Sequence, residues 1–372
     1  MCRITKEFIR LVSFDSESYH EREIVDYLKE RLLSLGLTVQ EDDAAEKMGH
    51  KNEKSAGNIY AILKGNTAGE PILFSAHTDT VSPGKGKKAI VHADGKITSD
   101  GTTVLGADDV TGIVSILEAL TVIQEKNLPH ADIEVLFSVA EEPYCKGAKA
   151  FDYGKIKSKI AYVLDSGGEL GTAAIAAPTI LSVNVKIYGK SAHAGFAPHE
   201  GINALTAAVN ALHQIAVGRV SAEETVNFGT ITGGIQKNVV PDFVEITGEI
   251  RSSLHEKAVL KAERIKSVFT AEAEKSGAQA EVTVTEEIRA YKISEEEEAV
   301  KRFKRAANEL GISNPVLREV FGGSDNNSFV RNGIRGIVVA NPRSNAHTKQ
   351  ESTTVEGLHQ SAQITLKLMT IS

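Results

Sequence analysis

Three apolar runs constrain this chain more than anything else in it. Each is long enough for one buried strand, and each ends in a side chain that burial penalises. Ile72-Leu73-Phe74-Ser75-Ala76 leads into His77 and Asp79, Ile133 to Ala140 into Glu141-Glu142, and Ile160 to Leu164 into Asp165. Side chains alternate along an extended chain, so His77 and Asp79 point to one side. The Asp79 carboxylate is then placed to hold one imidazole nitrogen while the other faces a metal. Adjacent carboxylates at the end of a buried strand are unfavourable unless a cation or a shared proton stabilises them.

Two further segments fit the same pattern. Gly106-Ala107-Asp108-Asp109 opens a helix predicted to run to about Lys126, with Ile113, Ile116, Leu117 and Leu120 on its buried face. Paired Asp residues there also read as caps that complement the helix dipole. Ile337 to Ala340 is another strand, followed by a loop carrying Asn345-Ala346-His347 and then Glu351. Open α/β sheets place their chemistry beyond the carboxyl ends of their strands, so these residues are expected in one crevice. His77, Asp108, Glu142, Asp165 and His347 suit a pair of divalent ions with one carboxylate bridging. Zinc is the best fit, and cobalt or manganese can share such ligands.

At 372 residues the chain is longer than one ordinary core accommodates, and two domains are expected. With 41% hydrophobic and 24% charged residues it has the composition of a well-packed soluble protein. A net charge of −7 and the lack of a basic stripe argue against a nucleic-acid partner. No apolar run approaches the roughly 18 residues of a membrane span, and the first residues carry no secretion signal. With only Cys2 and Cys145, expected as buried or half-buried fillers, a reducing cytoplasm is the expected location.

Helices are expected over residues 2–12, 20–35, 295–310 and 355–369, with an exposed loop over 41–56. From Ile180 the pattern changes to alternating strands near 180–187, 226–232, 243–251 and 280–285. Helices over 202–217 and 256–275 accompany them, the first with Leu205, Val209 and Leu212 on one face. The fold class is therefore α/β, a mixed twisted sheet flanked by helices, with an inserted α+β lid of two helices on an antiparallel sheet. The expected boundaries are 1–178 and 291–372 for the catalytic domain and 179–290 for the lid. Gly322-Gly323-Ser324-Asp325 reads equally as cleft lining or as a turn and helix cap.

His77-Thr78-Asp79, Gly106-Ala107-Asp108-Asp109, Glu141-Glu142, Asp165, Ser191-Ala192-His193-Ala194-Gly195, and His347 with Glu351 four places on span nearly the whole chain. Their order resembles the co-catalytic di-zinc exopeptidases, which include peptidase T, glutamate carboxypeptidase and succinyl-diaminopimelate desuccinylase. Gly-Ala-Asp-Asp, Gly322-Gly323-Ser324-Asp325 and Asn345 make the chain most similar to peptidase T. It departs from other members at Val110 and Thr111, where a Lys is commoner, and it is shorter than peptidase T itself.

The resemblance implies that His77 and Asp165 hold one zinc, that Glu142 and His347 hold the other, and that Asp108 bridges them. It also implies a cis bond between Asp108 and Asp109, Asp79 orienting His77, and Glu141 as general base. His193, Asn238, Arg251 and Asn345 are the implied substrate contacts; the His193 loop also reads as a simple turn cap. The implied activity is an aminopeptidase releasing N-terminal residues from short peptides, tripeptides among them. An N-acyl amino acid deacylase or carboxypeptidase of the same family is the alternative, and a metal-holding scaffold without catalysis a remote one. A homodimer through the lid is the expected assembly.

Overall fold

The computed structural model describes residues 1–371. Among them the chain forms two compact units, one of residues 1–176, 292–320 and 324–371, the other of 177–291 and 321–323. No helix among the described residues is long and apolar enough to cross a membrane.

The larger unit is built on a nine-stranded mixed sheet. Its order is Thr38–Glu41, Ile59–Leu63, Ile133–Ser138, Ile72–His77, Ile160–Gly167, Arg335–Asn341, Thr172–Ala177 and Tyr291–Lys292, with Val316–Glu319 also beside Thr172–Ala177. The central four strands, Ile133–Ser138 to Arg335–Asn341, run parallel. Their side chains are mostly apolar on both faces, as a sheet covered on both sides requires, with Glu134 a buried exception. Leu73, Leu136, Val163 and Val338 join Tyr60, Phe151 and Phe329 in one buried cluster. Because the four strands are parallel, their carboxyl ends share one edge, and His77, Glu141, Glu142, Asp165 and the loop bearing His347 all leave from it.

The helix Ala107–Lys126 packs along this sheet and is buried on nearly every side, which explains its long run of Val, Ile, Leu and Ala. Its start departs from the expected cap. Asp108 and Asp109 have non-helical backbone, and the bond between them is cis, so both acids precede the regular turns. Within the expected loop at 41–56, a single helical turn forms at Ala44–Lys47. The helices at the chain's far end run Glu298–Glu309 and Val355–Thr370. Cys2 is exposed, against expectation, and contacts Thr5 and His359.

The smaller unit is an antiparallel sheet in the order Gly218–Arg219, Glu224–Gly233, Phe243–Ser252, Thr179–Tyr188 and Gln279–Ile288. Leu181, Val183, Val185 and Ile187 alternate inward and meet two helices, Ala204–His213 and His255–Lys275. The first helix turns a face to the core other than its larger side chains suggest. Ala204, Ala207, Ala208 and Ala211 are buried, while Leu205 and Val209 are exposed. Alanines let the helix approach the sheet closely, and it ends at His213 rather than near residue 217.

Candidate active site

His77 closes the strand Ile72–His77 and is 2% exposed. Its Nδ1 lies 2.9 Å from the Asp79 carbonyl oxygen and 3.4 Å from the Asp79 carboxylate. The backbone is thus the nearer partner, and a proton on Nδ1 leaves Nε2 to face inward. Nε2 lies 3.2 Å from Asp108 Oδ1 and 3.8 Å from Asp165 Oδ1. The His347 Nε2 lies 3.4 Å from the other Asp108 oxygen and 3.0 Å from Glu142 Oε2. One carboxylate therefore spans two imidazoles.

Four donors held tetrahedrally about 2.0–2.1 Å from an ion stand about 3.3 Å apart, so these separations suit shared coordination. Glu142 Oε1 is buried with no hydrogen-bond partner, a costly state that a cation would relieve. Two groups in this cluster, His77–Asp108–Glu142 and His77–Glu141–Asp165, have the spacing to hold a metal ion. The residues present fit such a group.

The electrostatics agree with that fit. Burial opposes a charge on His77, yet Asp108 and Asp79 raise its pKa well above the ordinary value. Hydrogen bonds to Asp108 and Glu142 raise that of His347 to about 10. Burial, then the charge of Asp108, pushes Asp165 up to about 7. Burial, then the charge of Asp165, lifts Glu141 well above the carboxylate range. Imidazoles that take up protons and carboxylates that retain them mark a site short of positive charge.

The Glu141-Glu142 turn is held by two other acids. Asp79 accepts the backbone N–H groups of Glu141 at 2.8 Å and Glu142 at 3.2 Å, and the Ser18 hydroxyl at 2.7 Å. Glu21, also buried, accepts the N–H groups of Ala140 at 3.0 Å and Tyr19 at 2.8 Å. The Glu141 side chain takes a contact from the Cys145 thiol at 3.2 Å. Glu351 accepts the N–H groups of Gly106 at 2.7 Å and Asp108 at 2.8 Å, fixing the turn that presents Asp108.

Glu21 yields a pH prediction. Burial, then the charge of Asp79, raises its pKa to about 8. A carboxyl whose folded pKa lies above its unfolded value of about 4.3 contributes stability that is complete below that value and lost as pH rises to about 8. Glu21→Gln keeps an acceptor for both N–H groups and removes the titration. Denaturation of the metal-free protein should find the variant gaining on wild type from pH 5 to pH 8, by at most about 1.4 kcal/mol per pH unit. Parallel pH profiles would rule out this origin.

The remaining expected contacts are distributed between the units. Asn345 has a left-handed backbone, as does His347, and its side chain reaches the Gln350 carbonyl at 3.4 Å. In the smaller unit His193 pairs with Val239, and the Ala194 N–H donates to the Asn238 carbonyl at 3.0 Å, so the His193 and Asn238 segments are neighbours. His193 Nδ1 accepts from the N–H groups of Gly195 and Phe196, as a turn-capping histidine does. Arg251 directs its fork at Glu249, at 2.7 and 3.0 Å, and donates to the Phe321 carbonyl at 2.8 Å. Asp325 precedes the helix Asn326–Arg331 without capping it and accepts from the Ser138 hydroxyl.

Besides Glu21, a second buried charged residue at the site escaped the sequence reading. Arg343 joins Asp108, Asp109 and Asp165. Its only local sign is a charge shortly after an apolar strand, which usually marks the surface.

Residues 58–174 match the model of peptidase family M28, and residues 175–277 match a peptidase dimerisation domain. The uncharacterised protein YqjE of Bacillus subtilis is 38% identical, over 99% of this chain and 97% of its own. Peptidase T of Escherichia fergusonii is 26% identical, over 99% and 98%. The crystal structure of aminopeptidase PepT from Bacillus cereus superposes with a TM-score of 0.89 at 39% identity, covering 99% of this chain and 97% of that one. A tripeptidase from Staphylococcus aureus gives a TM-score of 0.93 at 34% identity with the same coverage. These likenesses span both units of the fold, and the chain belongs to the peptidase T-like members of the M20 peptidase family, which are hydrolases.

Proposed function

We propose that the protein is an aminopeptidase that removes N-terminal residues from short peptides, tripeptides among them. The observation that carries this reading is the Asp108 carboxylate, whose two oxygens face His77 and His347 while Glu141 stands beside them. The names of the Bacillus cereus aminopeptidase and the Staphylococcus aureus tripeptidase support the substrate class.

Held by His77, Asp108 and Asp165 on one side and by Asp108, Glu142 and His347 on the other, two divalent cations, zinc in this reading, would supply a Lewis acid for the scissile carbonyl and lower the pKa of a water. Glu141 accepts the proton of the attacking water and returns it to the leaving amine. Asp79 and Glu21 keep the Glu141-Glu142 backbone in place, and Glu351 does the same for Asp108.

Residues 1–178 and 291–372 are proposed as the catalytic domain and 179–290 as the lid. His193, Asn238, Arg251 and Asn345 enter as candidate substrate contacts. The dimerisation-domain match and the exposed Leu205 and Val209 support pairing of two copies through the smaller unit.

The test is hydrolysis of free di- and tripeptides beside N-acetyl and N-succinyl amino acids, with metal-loaded and chelator-treated protein. Cleavage of tripeptides from the amino end, abolished by the chelator, is the expected result. Cleavage of acylated amino acids alone would replace the substrate class. Loss of no activity to the chelator would reject the metal.

A further inference from the structure

Arg343 is placed where an ordinary surface arginine is not. It is 9% exposed and lies on the short strand Arg343–Ser344, which pairs with Ser352–Thr354. Its Nη2 stands 2.7 Å from Asp108 Oδ1 and 2.9 Å from Asp165 Oδ1, and its Nη1 stands 2.9 Å from Asp109 Oδ1. The planar guanidinium thus uses both ends, one on Asp109 and the other across Asp108 and Asp165.

The same two Oδ1 atoms are those nearest His77 Nε2. A carboxylate oxygen has two lone pairs, so it can accept from Arg343 and still face His77. Asp108, Asp109 and Asp165 form one acidic group, which shares Asp108 with one of the two groups that contain His77 and Asp165 with the other. Arg343 lies against all three acids of the first. Charge-assisted bonds from a rigid fork fix carboxylate orientation better than a lysine ammonium does.

We propose that Arg343 is a positioning residue, anchored by Asp109, that holds Asp108 and Asp165 in the orientation in which they bind a divalent cation. The proposal rests on the metal reading above. It assigns Arg343 a supporting role, in contrast to a cation that competes with the ion for the same oxygens.

Cobalt titration of the metal-free protein against a competing chelator separates these cases, read by the visible absorption of the bound ion. Arg343→Gln should weaken cobalt binding about 10–100-fold, the usual cost of losing a partner that orients a ligand. The absorption bands should also shift, because two ligands lose their orientation. Arg343→Lys keeps the charge without the fork and should recover part of the affinity while the bands remain displaced. Unchanged affinity in Arg343→Gln would overturn the proposal, and tighter binding would do so by making Arg343 a competitor.

If Arg343→Gln does not fold, Asp109→Asn tests the same idea. It removes the charge that anchors the guanidinium and leaves the proposed ligands intact, since Asp109 is not among them. Affinity should fall by a smaller factor with the same direction of band shift, and wild-type affinity would overturn the proposal. Wild-type protein that binds no cobalt would reject the metal reading and this proposal together, whereas normal wild-type binding with an indifferent Arg343→Gln rejects this proposal alone.

Discussion

Glutamine at position 141 is expected to lower turnover of a tripeptide by about 10²–10⁴-fold, the usual contribution of a positioned acid or base. Metal content and KM should stay near wild type. The substitution is close to isosteric, and the backbone bond from residue 141 to Asp79 does not depend on the side chain. An amide also retains an acceptor for the Cys145 thiol. What it loses is the ability to take a proton from water and return it to the amine. Steady-state kinetics with metal analysis of the same preparation decides the matter. Loss of metal along with turnover would make Glu141 a ligand, a role its place in the His77–Glu141–Asp165 group allows. Undiminished turnover would move the base elsewhere.

The strands that carry His77 and Asp165, and the one that leads to the Glu141-Glu142 pair, were legible because a buried strand has a recognisable length and composition, and a charge near its end stands out. Their convergence followed from the rule that parallel strands share a carboxyl edge. Asp108 and Asp109 were legible as acids at a helix start but not as non-helical backbone, since propensity cannot see the turn that Glu351 holds from afar. In the helix Ala204–His213, periodicity followed the larger side chains, whereas close packing on the sheet selects the alanines. Arg343 was the least legible residue. Its partners Asp165 and Asp109 lie 178 and 234 positions away, and Pro342-Arg343-Ser344 reads locally as an exposed turn. The burial of such a charge follows only from the carboxylates that the fold assembles around it.

Those carboxylates make Asp108→Asn the most damaging single change expected at the site. Asp108 presents one oxygen to His77 and the other to His347. An amide keeps one oxygen and replaces the other with an NH2 group, which donates hydrogen bonds and has no lone pair for a metal. One of the two imidazoles must then face a group that cannot share an ion with it, and both sides lose the bridging charge. Bound metal should fall from two equivalents to one or fewer, and turnover by roughly 10³-fold or more, equivalent to a barrier about 4 kcal/mol higher. The fold should persist, because Arg343 keeps Asp109 and Asp165 as partners. Thermal unfolding supplies an independent readout. A cation at about 100 times its dissociation constant stabilises the protein it binds by about 2.7 kcal/mol, so added zinc should raise the wild-type midpoint clearly and that of Asp108→Asn by half or less. Equal midpoint shifts with two equivalents bound would show that the cations do not share Asp108, and the bridged arrangement would have to be abandoned even if the enzyme proved to be the aminopeptidase proposed.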